Sequence, residues 1–185
     1  MVFNILKNHQ LFAKKSKCFF GCQEIRYLGH LISKNGVRTD LRKIKSMLNW
    51  SFPSTLKSLR GFLGLTGYYS KFIKGYGSIA SPLTSLLRKN SFKWTPTTKE
   101  AFTALKNVVT NPPVLILPDF TKPFIIQCDA SGGVGVVLMQ QERPIAFMSQ
   151  AIHGKALHLS TYKKELMALV LAVKKWRSYV LRQTF

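Results

Sequence analysis

Acidic residues are rare in this chain, 7 against 28 Lys and Arg in 185 residues, and two of them stand in surroundings that suggest chemistry. Asp129 ends the apolar run FIIQC just before a Gly-rich turn, which predicts a carboxylate at a sheet end, where loops leave room for ions and substrate. Glu165 falls in the second turn of the last predicted helix, three residues after Tyr162 and four before Leu169. That spacing predicts a side chain turned toward the sheet, away from Lys163, Lys164, Lys174 and Lys175. Two carboxylates on a dry surface repel each other unless divalent cations lie between them. Mg²⁺ held by carboxylates and substrate phosphates is the usual arrangement for phosphodiester cleavage. Spacing alone leaves plainer roles open: Asp129 as a turn-initiating residue bonded to its own backbone, Glu165 as an acid favoured by the helix dipole.

The other reactive residue types make weaker patterns. Cys18, Cys22 and His30 are at the edge of zinc-ligand spacing with His9 a poor fourth ligand, so thiols in a core are the expectation. His153 and His158 have no nucleophile at a telling distance and are read as loop residues. No phosphate-cradling G-x-x-x-x-G-K-[ST] occurs. Gly61, Gly64 and Gly67 recur every three residues inside a predicted helix, although each Gly costs about 1 kcal/mol against Ala there. Something must approach that face closely. With Lys57, Arg60, Tyr68, Lys71 and Lys74 nearby, a nucleic-acid backbone or groove is one candidate and a packed neighbouring helix the other.

The elements that must position these residues follow from periodicity and punctuation. Residues 1 to 15 read as a helical or coil lead. A β-hairpin through Ile25, Tyr27 and residues 28 to 32 is closed by Asn35-Gly36. Thr39-Asp40 caps a helix in LRKIKSMLNW, and Ser54 and Thr55 cap a second in LKSLRGFLGLTGYYSKFI. A third is expected near 79 to 87 and a fourth from Thr97 or Thr98 with Ala101, Leu105 and Val108 on one face. Asn111-Pro112-Pro113 ends this helical region, since two prolines cannot continue a helix. The period then changes to two: residues 123 to 128, 134 to 139 and 144 to 148 predict an antiparallel meander with a turn at Ser131-Gly132-Gly133. Ser160-Thr161 caps a last helix to about Leu181, with Tyr162, Leu166, Leu169, Val170, Val173 and Trp176 as its apolar stripe.

Charge and composition bound the function classes. The net charge is +21, and 46% hydrophobic with 12% aromatic content excludes a disordered basic tail. Residues 1–112 hold 19 cations against 3 acids, net +16, and 113–185 hold 9 against 4, net +5. Such a charge repels itself unless a polyanion neutralises it, and spread cations favour nucleic acid over a membrane surface. No apolar run nears the ~20 residues of a membrane span. The start lacks a secretory pattern and the three cysteines are odd in number, so a soluble intracellular protein, cytoplasmic or nuclear, is expected.

The ordered blocks KCFFGCQEIRYLGHLIS, LRGFLGLTGYYSKFI, IASPLTSLL, PVLILPDFTKPFIIQCDAS, RPIAFMSQAI and LSTYKKELMALVLAVKKWRSY extend over nearly the whole chain. In that order the sequence resembles the pol polyprotein of gypsy-type LTR retrotransposons. The resemblance implies an α+β composite. Residues 1–38 would end a reverse-transcriptase palm, 39–112 would form a helical thumb, and 113–185 would open an RNase H-like α/β domain of three antiparallel strands and a first helix. By resemblance, Gly61, Gly64 and Leu65 belong to a thumb face on the template-primer duplex, and Lys57, Arg60, Tyr68 and Lys71 around them are the expected further contacts. Asp129 and Glu165 would be the first two of four carboxylates that hold Mg²⁺ on an RNA–DNA hybrid; residual cleavage by this chain would need a borrowed acid such as Glu142. The expected partners are hybrid or duplex and the rest of the pol polyprotein. The polymerase Y-x-D-D and the later RNase H aspartates do not occur in these 185 residues, so duplex binding without complete catalysis, or a role in pol assembly, is expected. DASGGVG is one residue shorter than the family's usual loop, and Asp40-Leu41 replaces its Asp-Pro.

Overall fold

The structure, a computed structural model, describes residues 2–110, 112–130 and 133–180. It is α+β, with two three-stranded antiparallel sheets. After helix α1 (Val2–Asn8), strands β1 (Glu24–Tyr27), β2 (His30–Ser33) and β3 (Gly36–Thr39) form the first sheet in sequence order. The expected hairpin is therefore a meander with a second tight turn at Leu28-Gly29. Leu28 takes φ +47° and Gly29 +75° there, and a Cβ on Gly29 would lie 2.6 Å from the Tyr69 hydroxyl oxygen. Within a β-prone run, Gly29 is the signal for that turn.

Helices α2 (Leu41–Leu48), α3 (Leu56–Tyr68), α4 (Tyr76–Ser85) and α5 (Pro96–Val108) follow, with a 3₁₀ turn Ser70–Phe72 after α3. Asp40 and Thr55 cap α2 and α3 by accepting from Arg42 N–H and Ser58 N–H. The fourth helix starts earlier than expected. Thr95 is its cap, Pro96 supplies a preset φ at the first turn, and Thr98 closes the capping box as the third residue. Leu59, Phe62, Leu83, Phe102 and Leu105 pack into one core, and Met47, Tyr69, Phe72, Ile73, Val109 and Leu115 into a second against β3.

The second sheet comprises β4 (Ile125–Asp129), β5 (Val134–Gln140) and β6 (Arg143–Gln150), followed by a 3₁₀ turn Gly154–His158 and helix α6 (Thr161–Lys175). It does not hang on a free linker: Val37 and Leu115 exchange backbone hydrogen bonds of 2.7 and 2.9 Å, and Ile116 N–H donates to Pro144 O at 2.9 Å. Buried Gln140 holds the approach to β4, accepting from Asp119 N–H and donating to the carbonyls of Asp119 and Lys122.

The last helix departs from its pattern in two ways. It stops at Lys175 and resumes as α7 (Arg177–Val180), because the buried Trp176 turns out of helical geometry at φ −106°; Leu181 lies outside the described residues. Its buried side is Ala168, Ala172 and Trp176, while Tyr162, Leu166, Leu169, Val170 and Val173 are exposed. The alanines let the helix backbone lie close on Val134, Val136 and Leu138, with Trp176 closing the same core at the end of the helix.

Candidate nucleic-acid interface

Helix α3 presents its five outward residues at i, i+3, i+4, i+7 and i+11. Lys57, Arg60, Gly61, Gly64 and Tyr68 are all exposed, opposite the buried Leu59, Phe62 and Thr66. The glycines separate the two explanations for their cost. A Cβ on Gly64 would meet nothing within 4 Å, so nothing among the described residues requires glycine there. At Gly61 a Cβ would lie 3.1 and 3.3 Å from the Trp50 ring, and at Gly67 it would lie 3.4 Å from the Tyr76 hydroxyl. Close packing thus accounts for Gly61; at Gly67 a Cβ would make only an ordinary contact, and Gly64 is bare backbone on an exposed face.

The surrounding charge has one sign. From Leu41 to Lys99 the sequence contains eleven Lys and Arg and no Asp or Glu, a run that counting alone could have found. Tyr68 is fixed at the end of the face: its hydroxyl donates to Leu28 O at 2.7 Å and its ring stacks on His30 at 5.4 Å. Leu65 is half-buried at the edge. Lys71 leaves this face. It sits half-buried in the 3₁₀ turn with its ammonium 5.3 Å from the centre of the Phe72 ring, and burial lowers its pKa.

His30 and the cysteines do not assemble a metal centre. His30 is buried among Tyr68, Tyr69 and Phe72 with Nδ1 unpartnered, and burial first, then the charge of Lys71, lowers its pKa. Cys22 is exposed and Cys18 half-buried, so the expected core thiols are surface groups. Among the described residues no group of three His, Cys, Asp or Glu side chains could hold a metal.

Asp129 and Glu165 are both exposed but belong to opposite sides of the second sheet. Cys128 pairs with Val136 and packs with it against α6. Asp129, next along an alternating strand, pairs with Gly135, and a Cβ on Gly135 would lie 3.9 Å from the Asp129 Cβ. Gly135 in turn pairs with Ser149, whose hydroxyl accepts from Gly77 N–H of α4 at 2.6 Å. The Asp129 side therefore faces α4, and Asp129 lines a cavity of about 320 Å³ there with Lys74, Ser78 and Ser149. Glu165 belongs to α6 on the other side, close enough to Cys128 that its charge adds to burial in raising the thiol pKa. Glu142 sits in the β5–β6 turn, seven residues along from Gly135 and so about 20 Å from Asp129 at strand rise. His153 stands at the start and His158 at the end of the 3₁₀ turn before α6.

Residues 94–185 match a family described as an RNase H-like domain found in reverse transcriptase. Over 188 residues the chain is 39% identical to a retrovirus-related Pol polyprotein from transposon 297 of Drosophila melanogaster, covering 100% of this chain and 18% of that protein. It is 52% identical over 127 residues to an uncharacterized mitochondrial protein of Arabidopsis thaliana, covering 68% and 80% respectively. With the transposon Tf2-3 polyprotein of Schizosaccharomyces pombe it shares 35% identity over 182 residues, 95% of this chain and 14% of the polyprotein. The chain thus spans less than a fifth of these transposon polyproteins. Among solved structures, the foamy viral protease-reverse transcriptase dRH in complex with double-stranded DNA has the same fold, with a TM-score of 0.87 at 24% identity over 98% of this chain and 33% of that one. The form in complex with RNA/DNA hybrid gives 0.80 at 24% identity over 87% and 23%.

Proposed function

Because the chain belongs to the retrotransposon pol polyprotein family, in its reverse transcriptase/RNase H region, we propose that it grips a nucleic-acid duplex along the exposed face of α3. In this reading residues 1–38 end the polymerase palm, 39–112 are the thumb and 113–185 open the RNase H-like domain. Intracellular action in cytoplasm or nucleus accompanies it; no helix among the described residues is long and apolar enough to cross a membrane.

One observation carries the proposal: Gly64 lies on an open cationic helix face where nothing among the described residues requires it. Bare backbone lets a sugar-phosphate groove approach closely, and Arg60 and Lys57, one and two turns away, supply phosphate contacts. Tyr68, pinned to Leu28, fixes α3 against the first sheet and so sets the angle of the face. Hydrolysis of the RNA strand with Mg²⁺, which the resemblance implies at Asp129 and Glu165, is proposed only for the full polyprotein. The arrangement described above offers an ion these two carboxylates from opposite sides of a sheet, and we derive no step through it.

Titration of a labelled RNA–DNA hybrid with the chain, followed by anisotropy at increasing salt, tests the grip. Each phosphate contact contributes about −0.9 to the slope of log K against log salt. Replacing Lys57 and Arg60 by Gln reduces that slope by about 2 and weakens binding for every sequence alike; an unchanged slope rejects the α3 face.

A further inference from the structure

The α3 face continues at its N-terminal end into aromatic surface that duplex contact does not use. Trp50 is half-buried, with its ring edge against Gly61 and its centroid 6.1 Å from Phe62, so it lies beside the bare stretch of helix. Two residues on, Phe52 is 48% exposed, yet it is held still. Its ring centroid is 4.2 Å from Trp94 and its edge meets Phe102 at 5.5 Å, while Trp94 Nε1–H donates to Pro53 O at 3.0 Å. An exposed ring already fixed by two others loses little freedom when a flat partner stacks on it.

Charge states which flat partner. Lys57 is exposed on α3, Lys93 is exposed beside Trp94 in the chain, and the Lys106 ammonium donates to Trp50 O at 3.1 Å. No acid occurs between Leu41 and Lys99. A ligand with π-faces and regularly spaced negative charge is a single strand of nucleic acid. We propose that Trp50 and Phe52 form a stacking shelf for unpaired nucleotides of a strand that runs on past the duplex held by α3. The inference rests on the duplex reading for its register but makes a separate claim: paired bases, whose faces are occupied, cannot use the shelf.

Blunt RNA–DNA hybrid and the same hybrid extended by four unpaired nucleotides at each end of each strand distinguish the two claims. At one salt concentration the chain binds at least one extended form about tenfold tighter than the blunt one. Phe52→Leu keeps apolar packing on Trp94 and Phe102 but removes the π-face, and brings the ratio of extended to blunt affinity near one. Equal binding of blunt and extended forms by the unaltered chain, or a ratio that survives Phe52→Leu, overturns the shelf. Binding of extended forms without any binding of the blunt hybrid overturns the α3 grip and leaves the shelf standing. If circular dichroism shows Phe52→Leu unfolded, the unaltered chain still decides: an eight-nucleotide thymidine strand quenches Trp emission by stacking, and absence of quenching overturns the proposal.

Discussion

Substituting Gly64 by Ala should move stability and binding in opposite directions. Nothing lies within 4 Å of the added Cβ, and Gly64 sits in the middle of α3, so the fold gains what Ala offers over Gly in an exposed helix, about 0.8–1 kcal/mol. For a chain of this size that raises Tm by roughly 2–4 °C. The same methyl group projects from the face assigned to the duplex. Forcing an extra methyl into a fitted contact costs about 1–3 kcal/mol, so hybrid affinity falls by roughly 5- to 150-fold. Differential scanning fluorimetry and anisotropy with one labelled hybrid give both readings, and Gly64→Leu should widen the gap. A variant that melts higher and binds hybrid as well as before removes the duplex from this face. One that melts lower shows that Gly64 serves packing within the chain.

At the α4 joint, a Cβ on Gly77 would meet the Ser149 carbonyl carbon and oxygen at 2.9 Å, backbone atoms with little room to shift; Gly77→Val is expected to destabilise by about 1–3 kcal/mol, read as a lower urea midpoint. In a Cys18→Ser/Cys22→Ser background, Glu165→Gln removes the charge that adds to burial at Cys128, so alkylation of that thiol should rise at lower pH; an unmoved profile places the carboxylate out of range. His30 is held neutral, with its folded pKa below the ordinary value near 6.5. Its stabilisation is whole above that value and is lost as pH falls from about 6.5 toward the folded pKa. The urea midpoint should drop from pH 7.5 to pH 5 and drop less in His30→Phe; equal drops would clear His30 of the effect.

The sequence by itself determined what depends on neighbours a few residues apart. Caps at Asp40, Thr55 and Ser160 set helix starts, because a side-chain oxygen reaches only the nearest free N–H groups. The change to a period of two set the second meander, and the ordered blocks identified the family before any fold was seen. Two local features go beyond the expected elements although their residues signal them: the turn at Gly29, and Pro96 as a first helical residue.

Only the tertiary structure decided which way faces point. Glu165 shares a helix stripe with the buried Ala168 and Ala172 and so turns to the sheet beside Cys128, while strand alternation puts Asp129 on the face toward α4. The Tyr162, Leu166, Leu169, Val170 and Val173 stripe was legible as apolar but not as exposed, since hydrophobicity says what burial gains and not which neighbour is present to bury it. Gly64 is the reverse case. Its cost was visible in the sequence, but that it faces open space instead of another helix depends on residues packed from far along the chain, whose positions no local spacing specifies.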